Sequence, residues 1–303
     1  MNPISHADVA DAARSNELLR IAYLPPLPHP KLQVPAVLPK NFLRSCDKVY
    51  LDLGTNVGEK FDVLHLKRGF FKFAHWQDPF NLVFGDTALN RSDVCAVGFE
   101  PNHNLTTKLR RLARKLTVSG HRIFLFNAAV SVSSGQAQLF SDTDLNRFPF
   151  NSWGKTLVKY DGRMVGRPSA TVPTISLTWF LQTHLLPQKA RVLSKMDVEG
   201  AEYDILPAAW QIICRTIDHL MIERHDRFFR WSWRMRNKLQ KTEVSADGQS
   251  KIKRLDIAIS EMKADSSCRT GVSLMSHLEA DKGADVVLVN RSVASAWYRV
   301  GVG

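Results

Sequence analysis

Cysteine is scarce in this sequence, and its positions exclude two common kinds of cysteine site. The four cysteines, Cys46, Cys95, Cys214 and Cys268, are widely separated, and none belongs to a CxxC motif. Neither a zinc knuckle nor a redox-active dithiol is therefore supported. We expect four free thiols, which suit a reducing compartment.

Long hydrophobic runs are also missing. No apolar stretch approaches the roughly 18 residues that would span a membrane, and the N-terminus lacks the apolar core of a secretory signal peptide. We therefore expect a soluble, cytoplasmic protein. The 303 residues are otherwise of ordinary globular composition, with enough apolar side chains for a large core.

Acidic residues are few relative to basic ones: 29 Asp and Glu face 41 Lys and Arg, so the formal net charge is +12. This excess indicates an anionic partner, whether nucleic acid, a lipid surface or an acidic substrate, without choosing between them. The excess is concentrated in two segments. A helix predicted over 105–116 carries five basic residues and no acidic one, and 224–254 holds ten Lys and Arg against three Asp and Glu.

The basic segment 224–254 also alternates arginine with aromatic residues, among them Phe228, Trp231 and Trp233. Such a pattern can stack on nucleic-acid bases or lie at a lipid interface. It can equally be an apolar stripe that faces the core, with a solvated basic face, and we favour this second interpretation.

Proline and insertion patterns divide the chain. Residues 1–44 are predicted to be an N-terminal helix followed by a proline-rich strap, and 45–303 a single domain. Within that domain, the aromatic-rich segment 69–92 is an insertion near the predicted ligand edge. It is either a lid over the substrate or a packed surface excursion, and the sequence does not decide between them.

A strand, a glycine turn and a helix follow one another over Val49–Glu59. Gly54 and Gly58 tolerate positive φ and let a ligand approach the backbone closely. The helix after them directs unpaired N–H groups at that ligand, and Asp52 adds an acceptor beside the turn. This arrangement predicts a nucleotide-like cofactor at the edge of an α/β sheet.

Three more predicted strands end in acidic residues. Glu100 follows the second strand, where a carboxylate accepts hydrogen bonds from ribose hydroxyls or, alternatively, caps the next helix. The fourth strand runs into Asp197, Glu199 and Glu202, which cannot all be buried without partners. The fifth ends at Glu223. Because parallel strands end at one edge, these acids should face the ligand crevice.

One class of protein that the glycine turn could indicate is a dinucleotide-dependent oxidoreductase. Its G-x-G-x-x-G motif would need glycine where Asn56 and Glu59 stand, so this rival is disfavoured. A second rival is a non-catalytic protein that binds RNA or membranes through its basic segments.

The assembled motifs resemble the FkbM-type family of S-adenosylmethionine-dependent methyltransferases. The matching pieces, in the family's order, are YLDLGTNVGE at 50–59, VGFEPN at 97–102, AAVSVSSG at 128–135, VPTISL at 172–177, KMDVEGAEYDIL at 195–206, LMIERH at 220–225 and ADVVLVNRS at 284–292. The segment 195–206 is the most specific of them. Two positions depart from the family pattern, Ser133 and Thr178, and the insertion roughly doubles the usual gap before Glu100.

The resemblance implies an α/β class I methyltransferase fold, Rossmann-like, with a seven-stranded, mostly parallel sheet, helices on both faces and an antiparallel final strand. It also implies methyl transfer from S-adenosyl-L-methionine to a hydroxyl, often on a sugar or natural product. The implied cofactor-binding residues, from the methionine end through the ribose and adenine to the methyl group, are Asp52, Gly54, Asn56, Gly58, Glu100, Asn127, Ala128, Asp197 and Glu199. Glu202 belongs to the same signature, and Glu223 matches the acid that ends the fifth strand.

An alcohol acceptor benefits from a base that removes its proton. The candidates are His225, whose unperturbed pKa is roughly 6.5, Asp197 and Glu223; alternatively, His225 is a surface histidine. The acids at 197–202 have the chemistry to hold a divalent metal, but cofactor binding and helix capping explain them more simply, so no metal is predicted. We expect a small-molecule or glycan acceptor, with an anionic acceptor as a variant, and do not favour nucleic acid or a membrane.

Overall fold

The computed structural model of the protein describes residues 38–39, 41–66, 77–85, 93–141, 155–158, 168–226 and 246–275. The predicted N-terminal helix, most of the proline-rich strap, residues 227–245 of the basic segment and the predicted last strand at 285–290 lie outside the described residues.

The described elements alternate between strands and helices. The strands are β1 (Lys48–Leu53), β2 (Val94–Phe99), β3 (Arg122–Phe126), β4 (Ala129–Ser131), β5 (Gly135–Ser141), β6 (Lys155–Thr156), β7 (Pro168–Ser176), β8 (Arg191–Met196), β9 (His219–Glu223) and β10 (Gly271–Met275). The helices are α1 (Glu59–Phe61, continued by a π-helical turn over Asp62–Leu66), α2 (Gln77–Phe84), α3 (Thr106–Val118), α4 (Leu177–Phe180, continued over Leu181–Leu185), α5 (Glu202–Thr216) and α6 (Ala246–Ala264).

The main sheet has six strands in the order β10-β9-β8-β1-β2-β3, and every neighbouring pair in it is parallel. The predicted α/β architecture with a mostly parallel sheet is therefore confirmed, with six strands among the described residues. The family's seventh, antiparallel strand was expected at 285–290, outside them.

Helices cover both faces of the main sheet because the side chains of each strand alternate between two cores. In β1, Val49, Leu51 and Leu53 belong to one apolar cluster with α5 and α6, whereas Tyr50 belongs to a second cluster with α1, α2 and α3. Successive strand residues point to opposite faces, so a strand that is apolar throughout is buried on both.

The sequence over 273–280 predicts a helix, and this prediction is wrong for residues 273–275. These residues belong to β10, which pairs with β9 in the register Val272↔Leu220 and Leu274↔Ile222. Val272 and Ser273 are buried. The cause is tertiary: the edge of β9 offers backbone hydrogen bonds that outweigh the weak local helical pattern.

A second, smaller sheet has the order β4-β7-β5-β6. The turn at 133–135 and the segment 136–140 after it predict a hairpin outside the parallel core. Strand β5 does lie outside that core, but it pairs antiparallel with β7 and β6 and not with β4, the strand that precedes the turn. This sheet brings residues 155–158, from the long polar segment at 141–170, beside the carboxyl edge of the main sheet.

Two predicted appendages pack into the domain where they are described. Leu38, Phe42 and Leu43, upstream of the predicted boundary, are buried in the first apolar cluster. In the insertion, Phe80 and Phe84 of α2 are buried in the second. The described part of the insertion is therefore a packed excursion rather than a lid.

The expectation of four free cysteines is wrong. Cys46 is bonded to Cys95 of β2, and Cys214 of α5 is bonded to Cys268, which follows α6. The two cysteines of the first pair are separated by 49 positions in sequence and those of the second by 54, and each pair meets in the folded core. The wide spacing of the cysteines in the sequence does not reveal this proximity. All four cysteines are therefore bonded, and the argument for a reducing compartment, which depended on free thiols, does not hold.

Among the described helices, none combines the length and the apolar character needed to cross a membrane.

Candidate functional site

The glycine turn after β1 is fixed against two neighbouring strands. Gly54 has φ 85°, and a Cβ there would lie 1.8 Å from the backbone oxygen of Asp197. The amides of Gly54 and Thr55 both donate to the carbonyl of Phe99, at 3.1 and 3.0 Å. Only glycine fits this position, because its lack of a side chain lets the turn lie directly on the segment after β8.

Gly58 does not line the pocket; its lack of a side chain allows two helices to pack closely. A Cβ on Gly58 would lie 2.3 Å from Leu112 Cδ2 and 3.2 Å from Leu109 Cδ2, both on α3. Its φ of 84° and its lack of a side chain let the start of α1 lie against that helix. The predicted cofactor role of Gly58 is therefore indirect, through the position of the turn.

Glu100 lies at the end of β2 and holds the glycine turn through its carboxylate. Its Oε2 accepts the amide N–H of Asn56 at 2.7 Å, and its Oε1 accepts that of Asn102 at 2.8 Å. Burial raises the pKa of Glu100 to about 7, although the two backbone hydrogen bonds act in the opposite direction. The two oxygens keep lone pairs that can accept further donors.

Lys195 joins the glycine turn to two of the predicted site acids. It lies beside Asp52 in the β1–β8 register, and its Nζ donates to the Gly54 carbonyl at 2.9 Å. The same Nζ is 2.9 Å from Asp197 Oδ2 and 3.5 Å from Asp52 Oδ1. Burial would lower the pKa of Lys195, but Asp197 and Asp52 outweigh burial and raise it.

Asp52 is fully buried beneath the turn, so it acts on the site through Lys195 rather than by lining the pocket. Lys195 was not among the predicted site residues. Its signal was a lysine within a buried strand, two positions before Asp197.

The turn after β8 adopts left-handed backbone conformations. Glu199 has φ 51° and Gly200 has φ 96°, and a non-glycine residue in this region is uncommon and is found preferentially at functional sites. Thr156 of β6 donates its hydroxyl to the Glu199 carbonyl at 2.5 Å, so the second sheet supports this turn.

Glu202 differs from the other acids of its signature because it is fully buried. Its Oε2 accepts the Gly200 amide at 2.8 Å, and its Oε1 lies 3.2 Å from the His225 amide and 2.8 Å from His225 Nδ1. The expectation that all three acids face the crevice is therefore corrected for Glu202, which is buried with partners.

His225 is fully buried, so the alternative of a surface histidine is wrong. Its Nε2 lies 3.3 Å from Glu199 Oε2, 3.7 Å from Asp197 Oδ1 and 3.8 Å from Glu223 Oε1. Burial would lower the pKa of His225, but Glu202 above all, with Glu199 and Asp197, raises it to about 10. In this arrangement the ring keeps both protons at neutral pH, and a base role requires it to lose one first.

A pocket lies between the carboxyl edge of the main sheet and the second sheet. Five of the nine predicted cofactor residues line it, namely Gly54, Asn56, Glu100, Asp197 and Glu199. At the predicted adenine edge, Asn127 is exposed and Ala128 is buried, and the lining residues are instead Ala129 and Val130.

None of the residues of the opposite wall of this pocket was among the predicted site residues. This wall consists of Leu139, Lys155 and Leu157, from the second sheet and the residue after β6. The long polar segment 141–170 is predicted to border the substrate, and residues 155 and 157 of that segment line this pocket. Burial lowers the pKa of Lys155.

Comparison with known proteins adds one match. A family model described as "Methyltransferase FkbM domain" matches residues 52–245, a range that contains the glycine turn, Glu100, the acids after β8 and His225. Searches of curated proteins and of solved structures found no match.

Proposed function

This chain belongs to the FkbM methyltransferase family, and we propose that it transfers a methyl group from S-adenosyl-L-methionine to a hydroxyl of a sugar, glycan or small metabolite. The pocket at the carboxyl edge of the parallel sheet carries this proposal. It joins the glycine turn, Glu100 and the turn from Asp197 to Ala201, and open α/β sheets bind their ligands at this edge.

The residues present fit this cofactor. Gly54 leaves backbone accessible where a side chain would collide with Asp197, and Glu100 can accept hydrogen bonds from ribose hydroxyls. Ala129 and Val130 give an apolar surface suited to adenine, and the Asp197 carboxylate suits the ammonium of the methionine end. The bound cofactor would supply an electrophilic methyl group on its sulfonium.

The acceptor side is marked by Asp197, Glu223 and His225, which the structure brings together. We place the acceptor hydroxyl beside them, since positioning supplies much of the catalysis in a displacement reaction. Replacing His225 by alanine should lower turnover about a hundredfold and leave cofactor affinity nearly unchanged. Unchanged turnover would exclude a role for His225 in the reaction.

The acceptor itself is proposed only as a class. The net charge of +12 and the position of Lys155 on the pocket wall support an acceptor that carries negative charge, such as an acidic glycan. RNA and anionic membranes remain less favoured partners, and a steep salt dependence of binding without methyl transfer would favour them.

Two measurements test the proposal. Thermal unfolding with S-adenosylmethionine, its demethylated product and NAD should show stabilisation by the first two alone, because a ligand at a hundred times its Kd adds about 2.7 kcal/mol. Labelled cofactor should then transfer methyl to one member of a panel of glycans, small alcohols, RNA and protein. Stabilisation by NAD alone would overturn the assignment.

Glu100→Gln provides a matched test of the pocket. Loss of a hydrogen bond to a charged group costs about 1.5–3 kcal/mol, so binding of the demethylated product should weaken at least tenfold. Glu261→Gln, a neutralisation of an exposed acid on α6, should leave binding unchanged.

A further inference from the structure

We propose that Asp197, Glu223 and His225 bind a divalent transition-metal ion at the crevice edge of the main sheet. One ligand atom from each residue lies within 4.8 Å of the other two. The three residues come from the ends of the neighbouring strands β8 and β9, so the parallel sheet itself brings them together.

The spacing of the ligand atoms is the first argument. Around an ion bonded at about 2.1 Å, neighbouring ligand atoms are roughly 3.0 Å apart in an octahedral site and roughly 3.4 Å apart in a tetrahedral one. His225 Nε2 lies 3.7 Å from Asp197 Oδ1 and 3.8 Å from Glu223 Oε1. These distances are long for N–H···O hydrogen bonds, and small side-chain rotations would bring the atoms to metal-ligand spacing.

The orientation of the histidine is the second, independent argument. Glu202 contacts His225 Nδ1 at 2.8 Å and also accepts the amides of His225 and Gly200. A metal-binding histidine commonly donates its other ring N–H to a carboxylate, which fixes the tautomer and the ring plane. Here the buried Glu202 holds Nδ1, and Nε2 is directed at the carboxylates on the crevice side.

Access and charge also fit an ion. The His225 side chain is 1% exposed, whereas those of Asp197 and Glu223 are 22% and 15% exposed, so an ion can enter from the crevice. Lys195 binds Asp197 Oδ2, and the other oxygen of that carboxylate, Oδ1, faces His225. Glu199 Oε2, 3.3 Å from Nε2, offers a fourth ligand.

The mixed ligand set indicates the class of metal. Imidazole nitrogen suits transition metals, and carboxylate oxygens suit harder ions such as Mn²⁺. We therefore choose Mn²⁺ as the probe. Binding of the ion to Nε2 displaces the proton that this nitrogen otherwise carries and releases it to solvent. A doubly protonated His225 that pairs with the acids, without metal, is the competing explanation.

A metal here would polarise the acceptor hydroxyl as a Lewis acid. That role rests on the proposed methyl transfer, whereas metal binding does not. Binding is therefore measured without any acceptor, and its success or failure is separate from that of the proposed reaction.

The test titrates Mn²⁺ into chelator-treated full-length protein and follows binding by electron paramagnetic resonance, with thermal unfolding as a check of folding. We expect one ion per chain and an electron-spin-echo signal of directly coordinated ¹⁴N. His225→Asn keeps a donor near Glu202 but removes Nε2, so it should abolish the nitrogen signal and weaken binding at least tenfold.

Glu223→Gln, which is nearly isosteric, should also weaken Mn²⁺ binding at least tenfold, whereas Glu261→Gln on the exposed face of α6 should not. Absence of stoichiometric binding, absence of a nitrogen signal, or binding that neither site variant weakens would overturn the proposal. A chain that binds Mn²⁺ through His225 but does not bind the cofactor would retain the metal site and overturn the proposed function instead.

Discussion

The proposed ribose contact of Glu100 predicts that cofactor binding depends on pH. The pKa of Glu100, about 7, means that a neutral solution holds a mixture of the acid and the carboxylate. In the proposed complex, ribose hydroxyls donate to the carboxylate, so binding below pH 7 must first remove a proton. Affinity for the demethylated cofactor should be roughly fivefold weaker at pH 6 than at pH 7, and binding at pH 7 should release about half a proton.

Calorimetry in buffers of different ionisation enthalpy measures that proton release. Glu100→Gln should eliminate it, and Glu261→Gln should retain it. If the same fraction of a proton is released by Glu100→Gln, the titrating group is elsewhere and the ribose role loses its support.

Lys195 should contribute more to stability than an ordinary surface lysine. Lys195→Met leaves Asp52 and Asp197 without their shared cation, and breaking a buried ion pair costs about 3–5 kcal/mol. The matched control is Lys48→Met in β1, because Lys48 pairs with the half-exposed Asp93, and exposed pairs contribute at most about 1 kcal/mol. Equal losses of unfolding free energy for the two variants in urea would show that the ion pairs of Lys195 with Asp52 and Asp197 do not stabilise the fold more than an exposed pair does.

Sequence patterns predicted one wall of the pocket and not the other. Five residues of the first wall lie within three positions of the end of a buried strand, where periodicity and turn residues are visible, namely Gly54, Asn56, Glu100, Asp197 and Glu199. Leu139, Lys155 and Leu157 reach the pocket through pairing of β5, β6 and β7. Such pairing depends on contacts between distant segments, which no local pattern encodes.

The turn between β1 and α1 depends on the close approach of Gly54 to Asp197. Gly54 and Gly120 share φ 85°, but a Cβ on Gly120 would meet no atom within 4 Å. Alanine at Gly120 should therefore cost only the left-handed backbone term, about 1–2 kcal/mol. Alanine at Gly54 should cost a further 1–3 kcal/mol from overpacking, and should abolish cofactor binding.

Chemical unfolding of the two variants gives two losses of stability. Their difference is the cost of the contact between the added Cβ and Asp197, because the cost of the left-handed backbone is common to both. If Gly54→Ala and Gly120→Ala lose the same stability and the first still binds cofactor, the turn tolerates a side chain and the contact with Asp197 does not define it.

The main sheet shows where periodicity succeeds and where it fails. Strand β8 has the predicted bounds, 191–196, because apolar residues lie on both of its faces, Val192 and Met196 on one and Leu193 on the other, as is typical of a strand buried on both faces. Residues 273–275 of strand β10 were predicted as helix, because this segment has no strong alternation of its own. Its conformation depends on the edge of β9, which is not visible in the local sequence.

The two disulfides change the expectation for the chain as a whole. Cys46–Cys95 ties the segment before β1 to β2, and Cys214–Cys268 ties α5 to the residues that follow α6. Because disulfides persist in oxidising compartments, this pairing argues against the reducing compartment that free thiols would suit. The folded, unreduced protein should accordingly show no thiol that reacts with an alkylating agent.

Each bond closes a loop of about 50 residues, for which the chain-entropy account gives about 4 kcal/mol of stabilisation. Cys46→Ser with Cys95→Ser, and Cys214→Ser with Cys268→Ser, should each lower the unfolding free energy by about 2–4 kcal/mol, and reduction should not destabilise the chain that lacks both bonds. Four reactive thiols in the unreduced, folded protein, or serine pairs as stable as the parent, would show that the chain folds with free cysteines.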